Sequence, residues 1–85
     1  MPINLKTAGK RLCQLRLERG LTMRDVQAVS RKIAGRKRDG SFIIVPSRLS
    51  DIENGRVTPS IYRLYSLSVA YRCPMRRLLR FYGLV

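Results

Sequence analysis

The run Pro46-Ser47-Arg48-Leu49-Ser50-Asp51-Ile52-Glu53-Asn54-Gly55-Arg56, followed by Thr58-Pro59-Ser60, constrains this chain more than any other part of it. Leu49 and Ile52 supply one turn of apolar helical spacing, and Asn54-Gly55 closes it. Pro46 suits the first turn of a helix, where its missing N–H costs nothing. Isolated helices of fewer than about a dozen residues are marginal in water. A helix this short and polar therefore has to be clamped to a scaffold through Leu49 and Ile52. Its outward face then presents short polar side chains and Arg48 to something else.

The rest of the chain reads as that scaffold. Residues 5–19 place Leu5, Ala8, Leu12, Leu15 and Arg16 on one helical face, with Lys6, Lys10 and Arg11 largely on the other. Gly20 follows, as glycine commonly does where a helix closes. Thr22 is a candidate N-cap for a second helix, and Asp25 stands three residues on in a capping-box position. Val26, Val29, Ser30 and Ile33 form that helix's stripe, which is expected to fade near Ala34-Gly35. Pro59 and Ser60 open a fourth helix with Ile61, Leu64, Tyr65, Leu67, Ser68 and Tyr71 over a broad core face. Pro74 disfavours helix at Cys73 and starts a fifth, carrying Met75, Leu78, Leu79 and Tyr82 and ending at Gly83. The expectation is one all-α domain spanning residues 1–85, with no internal repeat and no linker.

Between the second helix and the short polar one lies an unusual stretch. Arg36-Lys37-Arg38-Asp39-Gly40-Ser41 is polar and turn-prone, which predicts an exposed loop. Phe42-Ile43-Ile44-Val45 is β-branched and apolar. It is either an extended strand or a plug over the helix junction, and periodicity does not choose between them.

Charge narrows the partner. The chain has 18 Lys and Arg against five acids, a formal net charge of +13. A field of this sign concentrates polyanions and speeds their association. No apolar run approaches transmembrane length, and Met1 to Lys6 lacks the apolar core of a signal peptide. Cys13 and Cys73 are far apart and His is absent, which points away from a metal site and from a disulfide framework. Both cysteines are expected as small buried hydrophobes in a reducing cytosol. Without His there is no ordinary catalytic triad, so neither an enzyme nor a cofactor is expected.

Gly9-Lys10-Arg11-Leu12, Leu15-Arg16, Gly20-Leu21-Thr22 and Asp25-Val26, followed by Leu49-Ser50-Asp51-Ile52-Glu53-Asn54-Gly55-Arg56 and Pro59-Ser60, resemble the Cro and phage-repressor type of helix-turn-helix, also called XRE-like. The resemblance covers nearly the whole chain. It implies a five-helix, lambda-repressor-like DNA-binding domain in which helix 46–54 reads the major groove. It implies an Arg16–Glu53 ion pair tying the first helix to the end of the reading helix. Arg suits that role because its planar fork can hold a carboxylate bidentately. Pro46, Ser47 and Asp51 match positions that contact bases, with Arg48 beside them able to reach a guanine or a phosphate. Thr22 and Met23, with Arg24 next to them, match a corner that meets the DNA backbone, and Asn54 and Arg56 match phosphate-contacting positions.

The chemistry of these side chains agrees with such roles. Arg bonds guanine bidentately, Asp accepts from cytosine, Ser does either, and phosphates need cations or helix N-termini. For Arg56 the plainer alternative is a solvated charge, and for Asp51 an i,i+3 pair with Arg48. The chain departs from the family in two places. About a dozen extra residues, around Arg31 to Val45, enlarge the connection between the second and third helices. Arg76 and Arg77 also occupy the first turn of the fifth helix, against its dipole. Arg36, Lys37 and Arg38 in the enlarged connection either extend over DNA phosphates, as basic arms do, or form a solvated loop.

These features point to a sequence-specific regulator of transcription acting on double-stranded DNA in the cytoplasm, associated with a bacterial or phage nucleoid, as a homodimer on two half-sites. The apolar end, Leu78, Leu79, Phe81, Tyr82, Leu84 and Val85, supplies either the dimer contact or ordinary core, and Phe42 to Val45 is an alternative edge for pairing. Two other readings stay open. One is an RNA- or ribosome-associated basic protein, although its Tyr and Phe sit mostly at core spacing rather than on a stacking platform. The other is a protein-interaction or antitoxin module on the same scaffold.

Overall fold

Among the described residues, three helices begin where a side chain accepts from their unpaired amides and two begin at a proline. The computed structural model describes residues 4–85, and these form five α-helices and no strand. Met1–Ile3, part of the segment that lacks a signal-peptide core, lie outside the described residues. The Asn4 side chain accepts from the Lys6 and Thr7 amides and starts α1, Leu5–Glu18. Thr22 starts α2, Met23–Lys37, with a complete capping box. Its hydroxyl accepts from the Asp25 amide at 3.1 Å, and the Asp25 carboxylate accepts from the Thr22 amide at 2.9 Å. Pro46 stands in the first turn of α3, Pro46–Glu53, and Ser60 caps α4, Ile61–Tyr71. The last helix, α5, is Met75–Phe81.

The core gathers Ala8, Leu12 and Leu15 from α1, Val26 from α2, Leu49 and Ile52 from α3, Leu64, Leu67 and Tyr71 from α4, and Leu78 from α5. Around it α2 packs on α4, α1 on α3, and α5 on both α4 and α1. Among the described residues no helix is long and apolar enough to cross a membrane.

The connection between α2 and α3 differs from the sequence expectation. Helix α2 does not fade at Ala34-Gly35. It continues through Arg36 and Lys37 and ends at Arg38, a left-handed cap with φ of 52°. Arg36 and Lys37 are therefore the last turn of a helix rather than loop, where their charge complements the helix dipole. Gly40–Phe42 form a short 3-10 turn whose start is capped by Asp39. Phe42 to Val45 is not a strand among the described residues. It is a plug, with Ile44 fully buried in the core.

Backbone groups in a plug have no ladder to join, and buried ones must find partners. Three side chains supply them. Buried Ser30, in the middle of α2, accepts from the Ile44 amide at 2.9 Å and donates to the Gln27 carbonyl. On α4, Ser66 donates to the Phe42 carbonyl at 2.6 Å and Arg63 to the Ile43 carbonyl at 3.1 Å. Ser30 belongs to the helix's inner stripe because of this bond rather than as a filler.

Two further expectations change. Ile61 and Tyr65 do not belong to the core face of α4. They are exposed, together with Tyr62 and Val69, while Leu64, Ser66, Leu67 and Tyr71 point inward. Cys73 is buried, but Cys13 is only half-buried and borders a groove.

Candidate nucleic-acid interface

The short helix α3 is clamped from behind as its length requires. Leu49 and Ile52 are fully buried and Glu53 is nearly so. The Glu53 carboxylate takes two bonds from Arg16 of α1, Nε to Oε2 at 2.7 Å and Nη2 to Oε1 at 3.2 Å. The same guanidinium donates from Nη1 to the Leu21 carbonyl at 2.9 Å. One side chain thus joins α1, the turn before α2, and the end of α3. Glu53's hydrogen bonding raises the Arg16 pKa above its ordinary value against the opposing effect of burial. Beside this pair the Cys13 thiol is pushed up by burial and by the Glu53 charge, against the opposing pull of Arg16.

Two glycines bring the backbones together. At Gly9 a Cβ would overlap the carbonyl groups of Ile52 and Glu53. Gly55, with φ of 73°, turns the chain out of α3 directly against the Lys6 backbone. The end of α3 is therefore seated on the N-terminal half of α1. The groove along this junction is lined by Lys6, Lys10 and Cys13 from α1 and by Asn54 and Arg56 from beyond α3. Helical spacing alone makes Lys6 and Lys10 ordinary solvent-facing charges. Their i,i+4 spacing on the flank that also carries Gly9 and Cys13 is the signal that joins them to this groove.

On the free face of α3, Ser47 and Arg48 are exposed, while Pro46 and Asp51 are half-buried. Asp51 does not pair with Arg48. Its carboxylate meets Arg56 at 3.3 Å, with the two side chains 38% and 68% exposed. Arg56 is largely solvated in this exposed pair, and among the described residues Arg48 makes no salt bridge. The Asn54 side-chain amide donates to the Ser50 carbonyl at 2.8 Å and reinforces the helix end.

At the start of α2, Thr22 and Arg24 are exposed, whereas Met23 is half-buried against the core and offers only its backbone amide. Arg36, Lys37 and Arg38 are exposed at the opposite end of the same helix. Fourteen steps from Met23 to Lys37 at about 1.5 Å each separate the two groups by about 21 Å. Apart from Arg48 on the free face of α3, the structure therefore collects the basic candidates into three places: the start of α2, the groove at the end of α3, and the far end of α2.

Among the described residues no group of three His, Cys, Asp or Glu side chains is placed to hold a metal. The chain matches no protein-family model, and comparison with curated proteins and with solved structures likewise found no match.

Proposed function

We propose that this protein binds double-stranded DNA by sequence, as a Cro- or phage-repressor-type (XRE-like) helix-turn-helix of lambda-repressor-like fold, and regulates transcription. In this reading α2 and α3 form the helix-turn-helix with an enlarged connection, and α3 enters the major groove. Arg48, Ser47 and Asp51 are the base readers and Pro46 sets the start of the reading helix. The exposed start of α2, with Thr22 and Arg24, and the groove of Lys6, Lys10, Asn54 and Arg56 meet phosphates on either side.

The observation that carries the reading is the mounting of α3. An eight-residue helix has Leu49, Ile52 and Glu53 committed inward, Glu53 to a buried ion pair, and its end seated against a close glycine. Among the described residues its outward Arg48 is left without a salt-bridge partner, in a chain of charge +13. Holding a short polar helix this rigidly costs core that an 85-residue chain has little of, and a surface to be read is what such a helix provides. The protein acts on DNA as a homodimer on two half-sites one helical turn, about 34–36 Å, apart.

The test is selection of bound sequences from random duplex DNA. A palindromic consensus is the expected result, since it reports base readout and two-fold symmetry together. Recovery of unenriched sequence overturns the reading.

A further inference from the structure

The enlarged connection and the outer face of α4 build a second surface, at the far end of α2. Phe42 from the 3-10 turn stands edge-to-face with two tyrosines of α4, at 5.3 Å from the Tyr62 ring and 5.8 Å from the Tyr65 ring. These tyrosines are not core: Tyr62 is 47% and Tyr65 38% exposed. Lys37 places its ammonium 5.6 Å from the Tyr65 ring centroid. Beside it a hollow is lined by Arg36, Lys37, Tyr65 and Val69. The polar rim is cationic, from Arg36 and Lys37. Asp39, the one acid of the segment, has its carboxylate engaged by the Ser41 amide at 2.9 Å.

We propose that Phe42, Tyr62 and Tyr65, rimmed by Arg36 and Lys37, form a stacking platform for unpaired bases of single-stranded nucleic acid. The occupant follows from what the surface presents. The partly exposed rings of Tyr62 and Tyr65 favour a flat π system, such as a base of any sequence. The cations favour an anionic backbone within a few ångströms of those rings. A second copy of the chain seated on this surface about a two-fold axis would bring Arg36 and Lys37 close to their own counterparts. Single strands supply rings and negative charge at the same spacing. Both halves of the platform depend on the enlarged connection, since Lys37 lies on the extension of α2 and Phe42 on the 3-10 turn. The inference does not require that α3 read duplex DNA.

The experiment measures binding of the whole chain to a labelled oligothymidylate and to an abasic strand with the same number of phosphates. Base stacking on one ring is worth roughly fivefold to a hundredfold in affinity, so the wild type is expected to prefer the thymidylate by at least that much. Changing Tyr62→Leu with Tyr65→Leu keeps an apolar surface without rings and is expected to abolish the preference. The pair Tyr62→Phe with Tyr65→Phe keeps the rings and is expected to retain it. Lys37→Ala is expected to flatten the salt dependence by about 0.7 in log–log slope for one phosphate neutralised on a single strand.

Circular dichroism of each variant confirms its fold. Equal affinity of the wild type for the two strands overturns the platform, as does a leucine pair that keeps the preference. A leucine pair that converts a dimer to a monomer in sedimentation, with the preference unchanged, assigns the surface to a second copy instead. Failure of the duplex selection leaves all of these readouts intact.

Discussion

Gly9 of α1 lies so close to the carbonyl group of Glu53 at the end of α3 that a Cβ at position 9 would overlap it. The two helices meet backbone to backbone here, so neither can yield by turning a side chain. Gly9→Ala is expected to destabilise the protein by about 1–3 kcal/mol through overpacking. Gly35 is the matched control, a helical glycine with nothing within 4 Å of its would-be Cβ. Gly35→Ala is expected to stabilise by about 0.5–1 kcal/mol. Urea midpoints of the two variants that move in the same direction contradict this account.

The two salt bridges should separate by burial. The Arg16 and Glu53 side chains are 11% and 5% exposed, so Glu53→Ala strands a buried guanidinium and is expected to cost about 3–5 kcal/mol. Arg56→Ala breaks a solvent-screened pair and should change stability by no more than about 1 kcal/mol. Thermal or urea unfolding of both variants checks the ordering.

Ser30 offers a test of how the plug is held. Ser30→Ala removes the acceptor of the buried Ile44 amide and leaves that donor unpaired. The expected cost is about 1–3 kcal/mol, with faster hydrogen exchange concentrated at Ile44 and its neighbours. A stability unchanged within a few tenths of a kcal/mol contradicts a bonding role for the hydroxyl.

Alkali should unfold the protein through its buried phenols. Burial pushes the Tyr82 hydroxyl up to about 12, from about 10 in an unfolded chain, and raises that of Tyr71 further in the same direction. The folded state binds the proton more tightly than the unfolded one. This contribution is fully present below pH about 10 and is lost as the pH rises toward 12. Among the described residues neither hydroxyl has a hydrogen-bond partner. Tyr82→Phe is therefore expected to leave neutral-pH stability unchanged or raise it by up to about 1 kcal/mol, and to reduce the loss above pH 10. Unfolding curves at pH 7 and pH 11 measure both effects.

Base and phosphate roles predict different signatures on the selected duplex. Arg48→Ala is expected to cost about 1–3 kcal/mol and to relax specificity at one position of the site. Lys6→Ala and Lys10→Ala are expected to weaken all sequences alike and to flatten the salt slope by about 0.9 for each phosphate that the variant no longer neutralises. Titrations at several salt concentrations separate the two classes.

The sequence by itself determined the helix count, the starts of α2 to α5 and the inward apolar face of α3. Those follow from local rules: proline, serine and threonine at helix starts, glycine after helix ends, and apolar residues at a period of 3.6. Leu49 and Ile52 were legible because a short helix must be clamped through its few apolar residues, whereas the Arg16–Glu53 pair was expected only from the resemblance to the helix-turn-helix family. The tertiary structure alone decided what lies between α2 and α3. Its apolar residues are too few to show a period, and their amides and carbonyls are satisfied by Ser30, Arg63 and Ser66, residues 14 to 24 positions away in sequence. It also decided that Tyr62 and Tyr65 stay outside. A broad apolar face on α4 shows that some residues must be buried, but only the packing of α2 and the 3-10 turn against that helix selects which.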